Sequence, residues 1–241
     1  MDERAEHRQI VSLSEQTQTE WFRLRAQRLG GEVWEDGPLL WIDGPDGLNL
    51  MFPESLPEAE LRRGIEYARD KKHQLVSAWV SGETDATPLA LAGFERGWAP
   101  WWMSAPLDAI DPPHDERVHV GVLPEDIADE EARDGDGRLL ELANLELGHA
   151  FYAAVRVDGV LAGHAWSLVE GDVAGIFDLD VWPPYRRRGL GAALLHSIAG
   201  AAREAGARTA ALSTSPQGAI VYRAQGFTRV GMGATWWLQL D

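Results

Sequence analysis

The chain has 241 residues, no cysteine and a formal net charge of −16. The lack of thiols excludes cysteine nucleophiles, CxxC redox chemistry and thiolate zinc sites, and the acidic balance argues against general nucleic-acid binding because a negative surface repels phosphate backbones. No apolar run approaches the ~20 residues of a membrane helix and the polar segment Met1–Arg8 lacks a signal-peptide pattern, so we expect a cytoplasmic protein without a membrane or nucleic-acid partner.

The first half of the chain is predicted to combine strands and helices in one domain, residues 1–110. Leu61, Ile65 and Ala68 recur at helical spacing and would share one face of a helix. A linker is predicted over 111–117, where a proline pair stands among charged residues. The predicted elements are, in order, strands over 39–42 and 48–52, a helix over 57–71, a strand over 75–80, a short helix over 86–92 and a strand region after Gly93-Phe94.

The second half is predicted to form a mixed α/β sheet in a domain over 118–241. Its acidic stretch Glu125–Asp136 is predicted to be a solvated helix and loop. Three strands joined by tight turns should pair as an antiparallel meander, and Gly206 should stop the helix that follows. The remaining elements are strands over 151–157, 160–168 and 173–181, a helix from Leu190 to Gly206, a strand over 209–212, a helix over 216–224 and a strand region over 228–240.

Two landmarks recur in both halves at nearly constant spacing. Met51-Phe52-Pro53 corresponds to Val181-Trp182-Pro183 at an offset of 130 residues, and Gly93-Phe94 corresponds to Gly226-Phe227 at an offset of 133 residues. Such spacing indicates an internal repeat. We therefore expect two copies of one fold in tandem.

The segment Val181–Ala192 ends a buried strand, turns at two prolines and opens a helix through a basic loop with two glycines. Backbone N–H groups of a first helical turn favour anions, and Gly189 and Gly191 permit close approach. A phosphate or diphosphate site is predicted here. A Walker loop is excluded because Gly-Lys-Ser/Thr is missing, and the dinucleotide pattern GxGxxG is matched only weakly.

The pattern Val-x-Pro-x-Tyr-Arg-x-x-Gly-x-Gly over Val181–Gly191 resembles the acyl-CoA-binding motif of the GNAT superfamily of N-acetyltransferases. The segment Ser215–Phe227 resembles a second GNAT motif, in which Ser215 replaces the usual Asn and Gly218 the usual Ala, whereas Tyr222, Gly226 and Phe227 are retained. The resemblance implies the GNAT fold from about Val118 onward. The first half has no paired glycines and no counterpart of Tyr222, so it would be a degenerate copy that does not bind CoA.

The resemblance, together with the chemistry and strand positions of the residues, suggests individual roles. Tyr222 would act as the general acid toward the departing thiolate, because a phenol of pKa ~10 is close to a thiol of pKa ~8.5–10. Asp178 and Asp180, two apart on one strand and therefore expected on one face, are candidate bases or acceptor ligands, and His164 is a second candidate base. The residues expected to hold CoA are Leu179, Val181, Arg186, Arg187, Arg188, Gly189, Leu190, Gly191, Ala192, Ser215 and Ala219.

The resemblance and these residues together imply an N-acetyltransferase that uses acetyl-CoA as co-substrate, with no metal, by direct attack of an amine in a ternary complex. A small-molecule amine, such as an antibiotic or polyamine, is the expected acceptor. A protein lysine or N-terminus, a non-catalytic CoA-binding module, and a nicotinamide or flavin enzyme are the alternatives. A monomer is slightly favoured, because a duplicated chain could bury internally the surface with which single-domain relatives dimerise.

Overall fold

The computed structural model describes residues 3–45, 47–113, 115–134 and 149–240. The chain forms two compact units. The first comprises Met1–Trp102, Ser213–Pro216 and Val230–Asp241, and the second comprises Met103–Leu212 and Gln217–Arg229. Both units are discontinuous in sequence, whereas the predicted domains are continuous segments, and the domain limits remain a prediction.

The first unit contains a sheet with the strand order β1-β2-β3-β4-β12, and β5 pairs with β12. The first three strands are antiparallel, and β3 and β4 are parallel. Its elements are α1 (Glu3–Leu29), β1 (Glu32–Asp36), β2 (Leu39–Gly44), β3 (Gly47–Met51), α2 (Glu58–Asp70), β4 (Leu75–Ser81), α3 (Thr87–Leu91), β5 (Glu95–Arg96) and most of β12 (Thr228–Gln239).

The apolar stripe of α2 packs into the core of this unit as predicted. Leu61, Ile65 and Ala68 are buried together with Leu50 and Trp41 of the sheet. Gly64 lies on the same face, and a Cβ at this position would collide with the indole of Trp41. The sheet and α2 are therefore in direct contact at this glycine.

Helix α1 was not predicted from the sequence. Its 27 residues include Trp21 and Ala26 in buried positions, but Ser14, Thr17 and Gln18 are buried as well. Ser14 Oγ and Thr17 Oγ1 donate hydrogen bonds to backbone carbonyl oxygens one turn earlier in the helix, which satisfies them inside the unit. Because the buried face of α1 is partly polar, its apolar residues show no clear helical period, and the sequence did not indicate this helix.

The second unit contains a sheet with the order β11-β10-β9-β8-β7, and strand β6 (Trp101–Pro106) begins in the first unit and ends in the second. Strands β8, β9 and β10 form the predicted antiparallel meander. The elements of this unit are β7 (Val118–Val120), α4 (Pro124–Asp134), β8 (Ala150–Val157), β9 (Val160–Glu170), β10 (Val173–Val181), α5 (Leu190–Glu204), most of β11 (Thr209–Thr214) and α6 (Ala219–Arg223).

Two expectations for this unit are corrected. The acidic stretch forms α4, but Asp126 and Glu130 are fully buried rather than solvated, because basic and hydrogen-bonding side chains surround them. Positions 135–136 of that stretch lie outside the described residues, as does His114 of the linker. Helix α6 has five residues and is shorter than predicted, because a turn occupies 216–218.

The mixed α/β fold with a mixed sheet is confirmed. Within the described residues, no helix combines the length and the hydrophobicity of a membrane span.

Candidate functional site

Strands β10 and β11 separate before they end. They pair in parallel only at Val173–Gly175 and Thr209–Ala211, although β10 continues to Val181 and β11 to Thr214. The last six residues of β10 therefore have no partner on β11. This leaves backbone hydrogen-bonding groups of a strand open to an extended ligand.

A β-bulge in β10 corrects the expected placement of Asp178 and Asp180 on one face. Phe177 pairs with Trp166 and Asp180 pairs with His164 of β9, so two residues of β10 oppose one residue of β9. Asp178 has a φ of 46° at this bulge. Because directly paired residues share a face, Asp180 lies on the face of Phe177 and His164, and Asp178 is out of register with it.

Val181 places one backbone donor at the open side of β10. The N–H of Trp182 donates to the carbonyl oxygen of Ala162 in β9 at 2.8 Å. Because successive N–H groups of a strand point to opposite edges, the N–H of Val181 points away from β9, toward the gap. The carbonyl oxygen of Val181 accepts a hydrogen bond of 2.6 Å from Nε of Arg186.

Helix α5 begins beside this strand with free amide groups. Gly189 adopts a left-handed conformation with φ 78° and caps the helix without a side-chain hydrogen bond. The first helical hydrogen bond runs from the N–H of Ala193 to the carbonyl of Gly189, so the N–H groups of Leu190, Gly191 and Ala192 have no partner within the helix. A Cβ on Gly191 would lie 3.8 Å from Cδ2 of Leu179 and 3.9 Å from Cγ2 of Val181.

The three arginines before α5 have different contacts. Arg186 bridges to β10, since it also reaches Oδ1 of Asp180 at 3.1 Å. Arg188 donates to the carbonyl of Pro184 at 3.3 Å and stacks 5.7 Å from the ring centre of Tyr185. Arg187 is exposed, with a φ of 63°. Arg186 thus fixes the loop to the end of the strand, and Arg187 and Arg188 lie nearer to α5 in sequence.

Tyr222 lies on α6, where its ring packs edge-on against Phe227 with 5.7 Å between the ring centres. Burial raises the pKa of Tyr222 to about 12. The predicted proton transfer from Tyr222 to the thiolate assumed the ordinary phenol pKa of ~10. Ala219 begins α6 and is fully buried. Ser215 belongs to the first unit, and its predicted contact with CoA stays a prediction.

A buried polar cluster of the second unit was not predicted as such. Glu130 of α4 accepts hydrogen bonds from the hydroxyl of Tyr152 at 3.0 Å and from Arg133 at 2.9 Å, and its Oε1 lies 2.5 Å from Nδ1 of His164. Burial raises the pKa of Glu130, but the hydrogen bonds and charges of His164 and Arg133 outweigh it, so this pKa lies below its ordinary value.

A second pair on α4 resembles the first. Asp126 lies one turn before Glu130, and its Oδ2 lies 2.7 Å from Nε2 of His119. The spacing of four residues between the two acids could have indicated one helix face. In the described part of the chain, no group of three or more acidic or histidine side chains is arranged to hold a metal ion.

The corresponding strands of the first unit do not separate. Strands β3 and β4 pair from Leu48 to Met51, and the N–H of Phe52 continues the ladder to the carbonyl of Trp79 at 2.8 Å. Helix α2 then begins with Glu58 and Glu60 in its first turn. The first unit thus has neither an open strand edge nor a basic loop at this position.

Comparison with known proteins agrees with this geometry. The sequence profile of the Acetyltransferase (GNAT) family matches residues 121–227, and among curated proteins none matches the chain significantly. A GCN5-related N-acetyltransferase from Kribbella flavida superposes with a TM-score of 0.64 at 20% identity, covering 90% of this chain and 93% of that chain.

Two further solved structures are similar over most of the chain. A GCN5-related N-acetyltransferase from Sphaerobacter thermophilus gives a TM-score of 0.57 at 18% identity and covers 84% of this chain and 80% of that chain. A tandem GNAT protein from the clavulanic acid biosynthesis pathway gives a TM-score of 0.59 at 16% identity and covers 93% of this chain and 95% of that chain. These structures share the fold, and the family match shows that residues 121–227 are a GNAT acetyltransferase domain.

Proposed function

We propose that the second unit transfers an acetyl group from acetyl-CoA to the amine of a small cationic molecule. The observation that carries this proposal is the gap between β10 and β11 beside the start of α5. Both parts offer backbone donors in one unit: the N–H of Val181 at the strand edge and those of Leu190, Gly191 and Ala192 at the helix. An extended chain ending in a diphosphate needs this combination of donors.

The residues present fit coenzyme A, which supplies an activated acetyl thioester when bound. The free amides of α5 would bind the diphosphate, helped by the helix dipole and by Arg187 and Arg188. The open edge of β10 around Leu179 and Val181 would bind the pantetheine amides as an added strand does. The N–H of Val181 would stabilise negative charge on the acyl oxygen, a contribution of about 3 kcal/mol per donor.

Tyr222 is proposed to donate the proton that the leaving sulfur needs. Its pKa of about 12 keeps the phenol protonated at neutral pH. Because the chain has no cysteine, no thiol can carry the acetyl group, which supports direct attack by the amine over a two-step route.

A cationic acceptor is supported by charge. Asp178 and Asp180 are exposed at the end of β10, and the chain as a whole is strongly acidic, which raises the local concentration of cations. Polyamines and aminoglycosides meet this description. A protein lysine or N-terminus is the alternative acceptor class.

We further propose that the first unit is a GNAT-like copy that does not bind CoA. Its order of three antiparallel strands, a helix and a parallel strand repeats that of β8, β9, β10, α5 and β11. The continuous pairing of β3 with β4 and the acidic start of α2 oppose binding of a diphosphate there.

Two measurements test the proposed function. Titration calorimetry with CoA, NADP and FAD should give binding for CoA alone, since the other two require a different loop. Release of free thiol from acetyl-CoA should then be followed with polyamines, aminoglycosides, amino acids and lysine peptides. Binding of CoA without thiol release for any amine would support a non-catalytic module, and binding of NADP or FAD instead would support a redox enzyme.

A further inference from the structure

In the second unit, α5 lies on one face of the sheet and α4 lies on the opposite face. Gly191 of α5 lies against Leu179 and Val181. Val181 pairs with Gly163, whereas Asp180 pairs with His164, and neighbouring residues of a strand point to opposite faces. His164 and Asp180 therefore lie on the face opposite to α5, which is the face that α4 covers through Glu130.

Register across the sheet places His164 one strand away from Val181, whose N–H would hold the acyl oxygen. His164 lies on β9, the direct neighbour of β10, and its partner Asp180 immediately precedes Val181. Adjacent strands are about 4.8 Å apart. An acetyl group held at the N–H of Val181 would lie in the gap, across β10 from β9. An amine that attacks it from the sheet face opposite to α5 would approach on the face that carries His164.

The hydrogen bonds of Glu130 define which ring nitrogen of His164 carries the proton. The lowered pKa of Glu130 means that its carboxylate is ionised and can only accept hydrogen bonds. Nδ1 of His164 must therefore donate to Oε1 of Glu130. In the neutral ring, Nε2 then carries a lone pair, and among the described residues no hydrogen bond engages it.

The geometry points to His164 as the general base for the acceptor amine, with Glu130 as a positioning residue that Tyr152 and Arg133 hold in place. This inference rests on the proposed function and deepens it. As the acceptor nitrogen bonds to the acyl carbon, its proton passes to Nε2 of His164. The carbon–sulfur bond breaks, and the sulfur takes the proton of the Tyr222 hydroxyl.

Asp180 is less suited to this role, although it faces the same side. Its side chain is 52% exposed and is engaged by Arg186 at 3.1 Å. His164, in contrast, has a side chain that is 11% exposed and lies between Tyr152 and Trp182, with ring centres at 6.1 and 5.1 Å. A base that is nearly shielded from water and held by a carboxylate is well oriented for proton transfer.

The chain provides a matched control in His119. It also pairs with an acid of α4, but through Nε2, and it lies on β7, two strands beyond β9. Ala154 of β8 pairs with His119 on one side and with His164 on the other. If both histidine–carboxylate pairs are purely structural, substitution of either histidine should affect activity alike. If His164 is the base, only its substitution should lower activity.

The first test needs no acceptor. Nitrogen-15 NMR of the histidine rings in the free full-length protein, assigned with H164Q and H119Q, reports which nitrogen carries the proton. We expect the Nδ1–H tautomer for His164 and the Nε2–H tautomer for His119. An Nε2–H tautomer at His164 would overturn the inference, because no lone pair would be available to the amine.

The second test uses thiol release with the best amine of the acceptor panel, or with water as acceptor if no amine reacts. H164Q should lower kcat by about 10²–10⁴-fold and remove the loss of rate at acidic pH, with the Kd for CoA unchanged. H119Q should leave kcat and the pH profile unchanged. E130Q should lower kcat with the Kd for CoA unchanged, because the ring of His164 loses the carboxylate that orients its Nδ1.

Charged or titratable groups of the described residues that face His164 also affect the pH profile. These are Glu130 and Arg133 from α4, Tyr152 from β8 and Asp180 from β10. Equal effects of H164Q and H119Q, or an acidic limb that persists in H164Q, would refute the role of His164. If the wild-type protein neither binds CoA nor releases thiol, the proposed function itself fails. In that case both variants would also show neither binding nor thiol release.

Discussion

At the scale of single residues, the proposed reaction relies on one proton donor and one set of amide donors in the second unit. Tyr222 stays protonated because its ring is shielded on α6. Gly191 leaves the first turn of α5 without a side chain at the place where a diphosphate would approach. In the proposed reaction the two residues would act on different parts, so their substitutions should have separable effects.

Replacement of Tyr222 by Phe should lower kcat for thiol release by about 10²-fold or more, because it removes the proton donor for the sulfur. The Kd for CoA should change by less than about twofold, since the ring is kept. In wild type, this group should cause a loss of rate only as the pH rises toward 12. Steady-state kinetics and calorimetry measure both effects. An unchanged kcat in Y222F would exclude the role.

Replacement of Gly191 by Ala should weaken CoA binding at least about tenfold, equivalent to about 1.4 kcal/mol, because the new methyl group stands among the free amides. The fold has room for it, since its nearest neighbours are at 3.8 and 3.9 Å, and Ala favours helix over Gly by about 1 kcal/mol. Unfolding in urea should therefore show equal or higher stability. G200A on the same helix is the control for CoA binding and should bind CoA as wild type does. It does not serve as a control for stability, because its Cβ would lie 3.2 Å from the ring of Pro113.

At the scale of elements, sequence patterns predicted the meander, α2 and α5 because each shows a regular apolar period. They missed α1, whose buried face is partly polar, and they misjudged α4, whose acids are buried among partners that come from distant strands. The bulge at Asp178 also could not be foreseen. It depends on the pairing of β10 with β9, and strict alternation along the strand had put Asp178 and Asp180 on one face.

The acids of α4 should make stability depend on pH. Burial raises the pKa of Asp126, but hydrogen bonds from His119, the N–H of Leu123 and Arg156 lower it below the ordinary value, and the pKa of Glu130 is lowered as well. A lowered folded-state pKa stabilises the protein above the unfolded pKa of about 4, and this contribution is lost as the pH falls below it.

Urea unfolding between pH 3 and 7 should therefore show a free energy of unfolding that decreases below about pH 4. E130Q should be less stable than wild type at pH 7 and should show a smaller decrease toward pH 3. The same slope in E130Q and in wild type would mean that Glu130 does not contribute to the acid sensitivity.

At the scale of the whole molecule, the order of elements repeats, but within the residues that the structure describes only the second unit has separated parallel strands. The glycine loop of Val181–Gly191 could be predicted from the sequence because its spacing is local. The gap beside it could not, since it depends on where pairing between β10 and β11 stops. The net charge of −16 belongs to the chain as a whole and should act on the acceptor at long range.

The KM for a polyamine should rise with ionic strength, with kcat nearly constant, because salt screens the attraction between a cation and an acidic surface. Kinetics with a tetraamine and with a monoamine between 20 and 500 mM salt measure this effect, and the shift should be larger for the tetraamine. A KM that is independent of salt for both amines would argue against charge as the basis of acceptor selection.

The most direct test of the whole account is a crystal structure of the protein with CoA. The diphosphate should lie within hydrogen-bonding distance of the N–H groups of Leu190, Gly191 and Ala192, and the pantetheine should run along β10 between β10 and β11, with its sulfur near the N–H of Val181. CoA bound in the first unit, or absent from this gap at saturating concentration, would contradict the assignment of the acetyl-transfer site.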